Sequence, residues 1–234
     1  MNELSIRRSE ERGHADHGWL KSKHTFSFAD YRDPAHMGFR SLRVINQDKV
    51  DPGAGFPTHP HRDMEIFSYV LEGTLKHRDS MGNGRELKPG EIQLMSAGAG
   101  VTHSEFNPSD TELLHFLQIW IHPDRAGYEP SYTEWHPNHS KESQAIVPII
   151  TRDGREGSAK IRQDADIFRV RLSAGESVPF ELSEGRGIWI QVITGILEVN
   201  GTELREGDGG FSESPGEFTL KATENCEVLL FDLR

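Results

Sequence analysis

The sequence predicts an all-β protein built from two β-sandwich domains in tandem. Three observations favour this fold. Glycine and proline, 23 and 12 of the 234 residues, interrupt short runs of aliphatic and aromatic residues. Helical periodicity is scarce, and one pattern of strands and turns occurs twice along the chain. The length suffices for one large β-domain or two of ordinary size.

Eight runs carry the strand pattern most clearly. They cover residues 41–46, 64–72, 90–96, 113–121, 168–173, 188–193, 196–199 and 227–233. Turn residues separate these runs, and Asn200-Gly201 is a dipeptide that favours a tight hairpin. We expect helical turns only near residues 109–112 and 140–143.

The repeat combines a strand, a glycine turn, a second strand and a turn that contains glycine and an acid. Its first copy lies at 69–75 and 87–91, and its second copy at 191–197 and 204–208. Two copies of one sandwich are the simplest explanation. The polar stretch 135–144 is the natural linker. We therefore expect a first domain at residues 1–137 and a second at residues 138–234.

Charge and composition exclude several classes of protein. The net charge of −11 disfavours a surface that binds nucleic acid, because such surfaces display clustered lysine and arginine. No apolar run approaches the roughly 18 residues of a membrane span, and the first residues lack the pattern of a signal peptide. The single cysteine, Cys226, fits a reducing compartment and is expected to be a small core or edge residue rather than a reactive thiol. We expect a soluble, cytoplasmic protein.

Two short polar pairs predict a metal site. His59 and His61 flank one proline, and His103 and Glu105 flank one serine, in stretches with the strand pattern. Residues two apart on a strand point to the same face, so each pair can direct two donor atoms at one spot. Three imidazoles and a carboxylate suit a divalent first-row metal and leave coordination positions open.

Histidine is distributed unevenly along the chain. All twelve histidines lie at or before His139, so the second copy cannot form a site of this type. For the other nine histidines we expect structural or surface roles. These are His14, His17, His24, His36, His77, His115, His122, His136 and His139.

The metal motifs resemble those of the cupin superfamily in the form carried by pirins. The two motif runs are residues 53–65 and 95–105, and residues 11–20, 24–29 and 37–46 resemble the pirin N-terminal signature. The resemblance is nearly continuous from Arg8 to Ile121 and holds only in outline in the C-terminal part. It implies a bicupin, with two tandem jelly-roll barrels and few short helices.

Position by position, the resemblance implies that His59, His61, His103 and Glu105 are the metal ligands and that the ion is iron, as Fe(II). The donor set alone also suits manganese, cobalt, nickel and copper. Glu65 is an alternative carboxylate ligand, since it shares its strand parity with His61. The pirin pattern favours Glu105 and leaves Glu65 beside the ligands.

Residues of one further strand are candidates for the pocket. Phe116, Gln118 and Trp120 share a parity in the run after the second motif. They could line a binding pocket, although core packing is the commoner fate of such a stripe.

The resemblance implies a quercetin 2,3-dioxygenase, which opens a flavonol ring with O2. Glu105 would then be both a ligand and the base that accepts the proton of the flavonol 3-hydroxyl. A second hypothesis is a non-enzymatic, metal-containing partner of transcription factors or metabolic enzymes that senses the redox state of its metal. A third, a cupin that has lost its metal, is disfavoured because all four donors are present.

Overall fold

The computed structural model describes residues 3–137 and 143–234. Within these residues the chain is almost entirely β-structure, and Ser9–Glu11 and Arg155–Gly157 form single 3-10 turns. The strands are β1 (Ser5–Arg7), β2 (Gly13–Asp16), β3 (Leu20–His24), β4 (Leu42–Val50), β5 (Gly55–His61), β6 (Glu65–Glu72), β7 (Leu75–Asp79), β8 (Gly84–Leu87), β9 (Ile92–Ser96), β10 (Val101–Phe106), β11 (Leu114–Ile121), β12 (Ser131–Trp135), β13 (Ile146–Thr151), β14 (Ala159–Lys160), β15 (Ala165–Leu172), β16 (Ser177–Leu182), β17 (Gly187–Thr194), β18 (Ile196–Val199), β19 (Thr202–Arg205), β20 (Gly209–Ser212), β21 (Gly216–Ala222) and β22 (Cys226–Leu233).

All eight strand runs predicted from the sequence form strands in the structure, with ends that differ by a few residues. The helical turn predicted at 109–112 is wrong. Ser109 there accepts hydrogen bonds from the backbone N–H groups of Thr111 and Glu112, which closes a turn without a helix. The turn predicted at 140–143 lies largely outside the described residues.

The chain folds into two compact units. The first unit consists of Gly13–Pro137 and Ala159–Gln163, and the second comprises the described parts of Met1–Arg12, Asn138–Ser158 and Asp164–Arg234. In the first unit, one antiparallel sheet has the strand order β12-β9-β6-β11-β4-β3-β2 and the other has the order β5-β10-β7-β8. In the second unit the orders are β1-β20-β17-β22-β15-β13 and β16-β21-β18-β19.

The two units repeat one topology, which confirms the predicted all-β tandem fold. Strands β9-β6-β11-β4-β3 correspond in order to β20-β17-β22-β15-β13, and β5-β10-β7-β8 to β16-β21-β18-β19. The repeated turns also match, because the N–H of Gly90 bonds to the carbonyl of Val70 and that of Gly207 to the carbonyl of Val192. The Asn200-Gly201 hairpin is present, with φ angles of 49° and 86°.

The interiors of the units differ in polarity. In the second unit one cluster of fifteen buried apolar residues, Cys226 included, fills the space between the sheets. In the first unit two separate clusters hold seven and four buried apolar residues. Histidine, glutamate, aspartate, asparagine and glutamine side chains are buried there as well. The first unit therefore has the polar interior that a binding site requires.

In the part of the chain that the structure describes, no helix has the length and apolar character needed to cross a membrane.

Candidate metal centre

Strand pairing brings three histidine side chains together. His59 and His61 lie on β5, and His103 lies on β10 directly opposite His59 in the antiparallel ladder. The ring centroids are 4.8 Å apart for His59 and His61, 4.5 Å for His59 and His103, and 4.9 Å for His61 and His103. We call these three residues the histidine triad.

The ring nitrogens of the triad point at one another. Nε2 of His59 lies 3.1 Å from Nε2 of His103, and Nε2 of His61 is shielded from solvent without a hydrogen-bond partner among the described residues. One potential ligand atom from each of the three lies within 4.8 Å of the other two. Two ring nitrogens so close, with a third left unpaired, form a donor set suited to a divalent first-row metal.

Hydrogen bonding and burial prepare the triad for a cation. The Nδ1–H of His59 donates to the backbone carbonyl of Pro57 at 2.8 Å, which directs the lone pair of Nε2 into the triad. Burial, together with the neighbouring histidines, lowers the pKa of His61 to about 4 and that of His103 to about 3. Both rings are therefore neutral near pH 7, as a metal ligand must be.

Glu105 lies on β10 with its side chain fully buried. A shift in the β5–β10 register separates His103, which pairs with His59, from Glu105, which pairs with Phe56. The carboxylate is not a member of the triad, and a ligand atom of it groups instead with those of His77 and His103. His77 lies directly opposite Glu105 on β7.

A row of polar side chains crosses the large sheet and holds Glu105. The cross-strand register places its five members side by side on one face: His24, Asn46, Gln118, Ser68 and Gln93. We call this set the polar row.

Three members of the polar row donate hydrogen bonds to Glu105. Ser68 and Gln93 donate to Oε1 at 2.7 and 3.0 Å, and Gln118 donates to Oε2 at 2.6 Å. Gln118, a candidate pocket residue from the sequence, thus fixes a carboxylate oxygen beside the triad.

Glu65 and Trp120, the other predicted neighbours of the ligands, differ in position. The ring of Trp120 packs edge-on against His61, with centroids 4.9 Å apart. Glu65 lies on β6, in another sheet than His61, and accepts hydrogen bonds from Ser96 Oγ at 2.5 Å and from the N–H of Arg162 at 3.2 Å. The strand parity that the sequence argument assumed for Glu65 and His61 therefore does not exist.

A cavity of about 810 Å³ opens beside the triad. His59 and His61 form part of its wall, and aromatic residues form much of the rest. The aromatic wall residues are Trp19, Phe28, Tyr31, Phe56 and Trp120. This volume and lining suit a flat organic molecule of drug-like size.

Sequence reasoning missed one side of this cavity. His14, His17 and His24 line it, although structural or surface roles were expected for them, and so does Ser22 on β3, for which there was no prediction. The available signal was the alternation of Ser22 and His24 with exposed lysine, which places both on one face of a strand.

Comparison with known proteins agrees with the tandem repeat. Residues 5–121 match the family model for pirin, and residues 148–233 match the model for the quercetinase C-terminal cupin domain. The chain is 47% identical over 230 residues to the quercetin 2,3-dioxygenase of Escherichia coli K12, covering 98% of both chains. It is 39% identical to a pirin-like protein of Caulobacter vibrioides, covering 94% of this chain and 95% of that one.

A solved structure resembles nearly the whole chain. The crystal structure of the bacterial pirin YhhW from Escherichia coli, in complex with nickel(II), superposes with a TM-score of 0.94 at 46% sequence identity, covering 99% of each chain. The tandem fold, the two matching family models and this degree of identity lead to one conclusion. The chain is a member of the pirin family of bicupin proteins.

Proposed function

We propose that this protein is a metal-dependent dioxygenase that opens the ring of a flavonol such as quercetin with molecular oxygen. The observation that carries the proposal is the convergence of the histidine triad at the wall of a cavity with aromatic sides. The identity to a relative named quercetin 2,3-dioxygenase, over almost the whole chain, supports the choice of substrate.

His59, His61 and His103 would hold the metal, with Glu105 as the fourth ligand. We propose Fe(II) as the ion, although manganese, cobalt, nickel and copper suit the same donors, and the solved relative is in complex with nickel(II). When bound, the metal would supply Lewis acidity toward an oxygen of the flavonol and hold it near O2.

The residues of the chain would position the flavonol and accept its proton. The ring of Trp120 stands edge-on to both His61 and Phe28, so these rings form one continuous aromatic surface beside the triad. A flat guest that packs against this surface displaces water from the cavity. Glu105 accepts the proton of the 3-hydroxyl, while its three hydrogen-bond donors keep its oxygens in place.

Oxygen uptake and flavonol bleaching by the metal-loaded protein test this proposal. We expect turnover in the wild type and a loss of about 100-fold or more in His61→Ala, because that variant lacks one ligand. Glu105→Gln should retain metal, measured by elemental analysis, and lose turnover by about 100-fold or more if the carboxylate is the base.

His136→Ala is the matched control, since His136 bonds to Glu91 and Glu134 on the surface and should leave turnover unchanged. Full activity in Glu105→Gln would show that Glu105 is not the base, but it would not contradict the dioxygenase function. Wild-type protein that binds metal and consumes no flavonol would contradict the proposed function.

A further inference from the structure

The cavity has a second polar region, formed by residues outside the histidine triad. Ser22 and His24 on β3 and Asn46 and Asp48 on β4 all line the cavity, and each is at least nine-tenths buried. Ser22 pairs with Asp48 and His24 with Asn46 in the β3–β4 ladder. Two adjacent cross-strand pairs of polar side chains therefore face the interior.

All four side chains are already engaged, in two pairs. Nδ1 of His24 and Oδ1 of Asn46 are 2.9 Å apart, and Ser22 Oγ donates a short hydrogen bond to Oδ1 of Asp48. The Oδ2 atom of Asp48 accepts no hydrogen bond from any residue in the described ranges. One carboxylate oxygen is thus fixed by Ser22, and the other is available at the cavity wall.

Burying a charged carboxylate that accepts only one hydrogen bond is energetically unfavourable. Asp48 is 2% exposed, and burial raises its pKa to about 7, although the bond from Ser22 opposes this change and the charge of Glu105 adds to it. A hydroxyl group of a guest that donates to Oδ2 would offset part of this cost.

The other walls restrict what such a guest can be. The rings of Trp19 and Phe56 meet in a T-shaped contact with centroids 5.2 Å apart, and both line the cavity that extends to His59 and His61. These walls suit flat aromatic rings, so the hydroxyl that reaches Asp48 belongs to a phenol.

We propose that Asp48, held by Ser22, determines substrate specificity by accepting a hydrogen bond from a phenolic hydroxyl on an outer ring, remote from the hydroxyl that reaches the histidine triad. The inference rests on the proposed function and narrows it to polyhydroxylated flavonols. A guest with a carboxylate at this position is disfavoured, because two buried carboxylates repel each other.

Anaerobic binding titrations with two probes test the inference on the whole metal-loaded chain. Quercetin has hydroxyls on both outer rings, 3-hydroxyflavone has none there, and without oxygen neither is consumed. We expect the wild type to bind quercetin about tenfold or more tightly than 3-hydroxyflavone. In Asp48→Ala this preference should fall to about threefold or less, with the affinity for 3-hydroxyflavone kept.

Asp51→Ala, the same substitution three residues away on an exposed side chain, should keep the wild-type preference. A preference for quercetin that survives in a folded Asp48→Ala protein, or that is absent from the wild type, would overturn the inference. If the wild type still bleaches flavonols in either case, the proposed function stands although the inference fails. If the wild type neither binds nor bleaches a flavonol, the proposed function fails and the inference fails with it.

Discussion

At the scale of single residues, the number of hydrogen-bond donors distinguishes the buried carboxylates of the first unit. Glu105 accepts three side-chain hydrogen bonds, Glu65 accepts one from Ser96 and one from a backbone N–H, and Asp48 accepts one from Ser22. Burial raises the pKa of both Glu65 and Asp48. Hydrogen-bond donors stabilise the charged form of a carboxylate. A buried carboxylate with few donors is therefore the hardest to ionise.

Asp48→Asn should change how stability depends on pH in the metal-free protein. The folded-state pKa of Asp48, about 7, exceeds the value of about 3.9 in the unfolded chain, so folding favours the protonated form. The stability that this group contributes is complete below pH 4 and is lost as the pH rises through 7. The variant lacks this pH-dependent loss. Its free energy of unfolding relative to that of the wild type should therefore rise between pH 4 and pH 8, by at most about 4 kcal/mol.

Urea unfolding at pH 4.5 and pH 8 measures this difference, and comparison with the wild type at each pH cancels the titration of the other groups. Asp51→Asn removes an exposed carboxylate from the same part of the chain and serves as the control. A difference between Asp48→Asn and the wild type that is independent of pH would contradict the prediction.

At the scale of elements, the strands predicted from the sequence have apolar faces, and Ile146–Thr151 and Gly216–Ala222, which also have one, were missed. Ile92–Ser96, Leu114–Ile121 and Cys226–Leu233 contribute buried aliphatic residues to the sheets, and each was predicted. Gly13–Asp16 and Leu20–His24 were missed, because the inward side chains of the second are mostly polar and the first lies at the sheet edge. Hydrophobic alternation cannot reveal a strand whose buried face lines a polar cavity.

The candidate site was predictable to the extent that it depends on local spacing. The convergence of His59, His61 and His103 follows from two local pairs on neighbouring strands. The three donors to Glu105 come from β6, β9 and β11, and only the sheet register aligns them. Cross-strand register was not deduced from the sequence, so nothing indicated that Ser68 and Gln93 contact Glu105.

Each unit has a turn glycine that lies very close to a backbone carbonyl of a neighbouring segment, and substitution tests whether stability depends on this approach. Gly73 and Gly195 have φ angles of 78° and 77°, and a Cβ atom would lie 2.4 Å from the carbonyl oxygen of Leu113 and 2.1 Å from that of Asn225. Alanine there meets both an unfavourable conformation and a backbone clash, so Gly73→Ala and Gly195→Ala should each destabilise the protein by more than about 2 kcal/mol.

Gly201→Ala separates the two causes, because Gly201 has φ of 86° and nothing within 4 Å of an added Cβ. This control should lose only the conformational part, about 1 kcal/mol. Denaturant unfolding compares the three variants. Equal losses at all three positions would show that the close backbone approach contributes nothing.

At the scale of the whole molecule, two copies of one topology have opposite interiors. The inward side of β10 carries Val101, His103 and Glu105, whereas the buried side chains of the corresponding β21 are Phe218, Leu220 and Ala222. One unit therefore keeps a polar cavity at a cost in apolar burial, and the other is filled by a continuous apolar core. Among the residues that the structure describes, the second unit contains no histidine, so it provides an internal reference for the first.

Hydrogen exchange with and without metal should show this division within a single chain. Metal that binds only the folded triad stabilises it by about 2.7 kcal/mol at a concentration 100 times the dissociation constant. Amides of Gly55–His61 and Val101–Phe106 that exchange through opening of the site should then slow by about 100-fold. Those of Ser177–Leu182 and Gly216–Ala222, the corresponding strands, should be unchanged. His61→Ala should abolish the protection, and equal slowing in both units would contradict a metal site confined to the first unit.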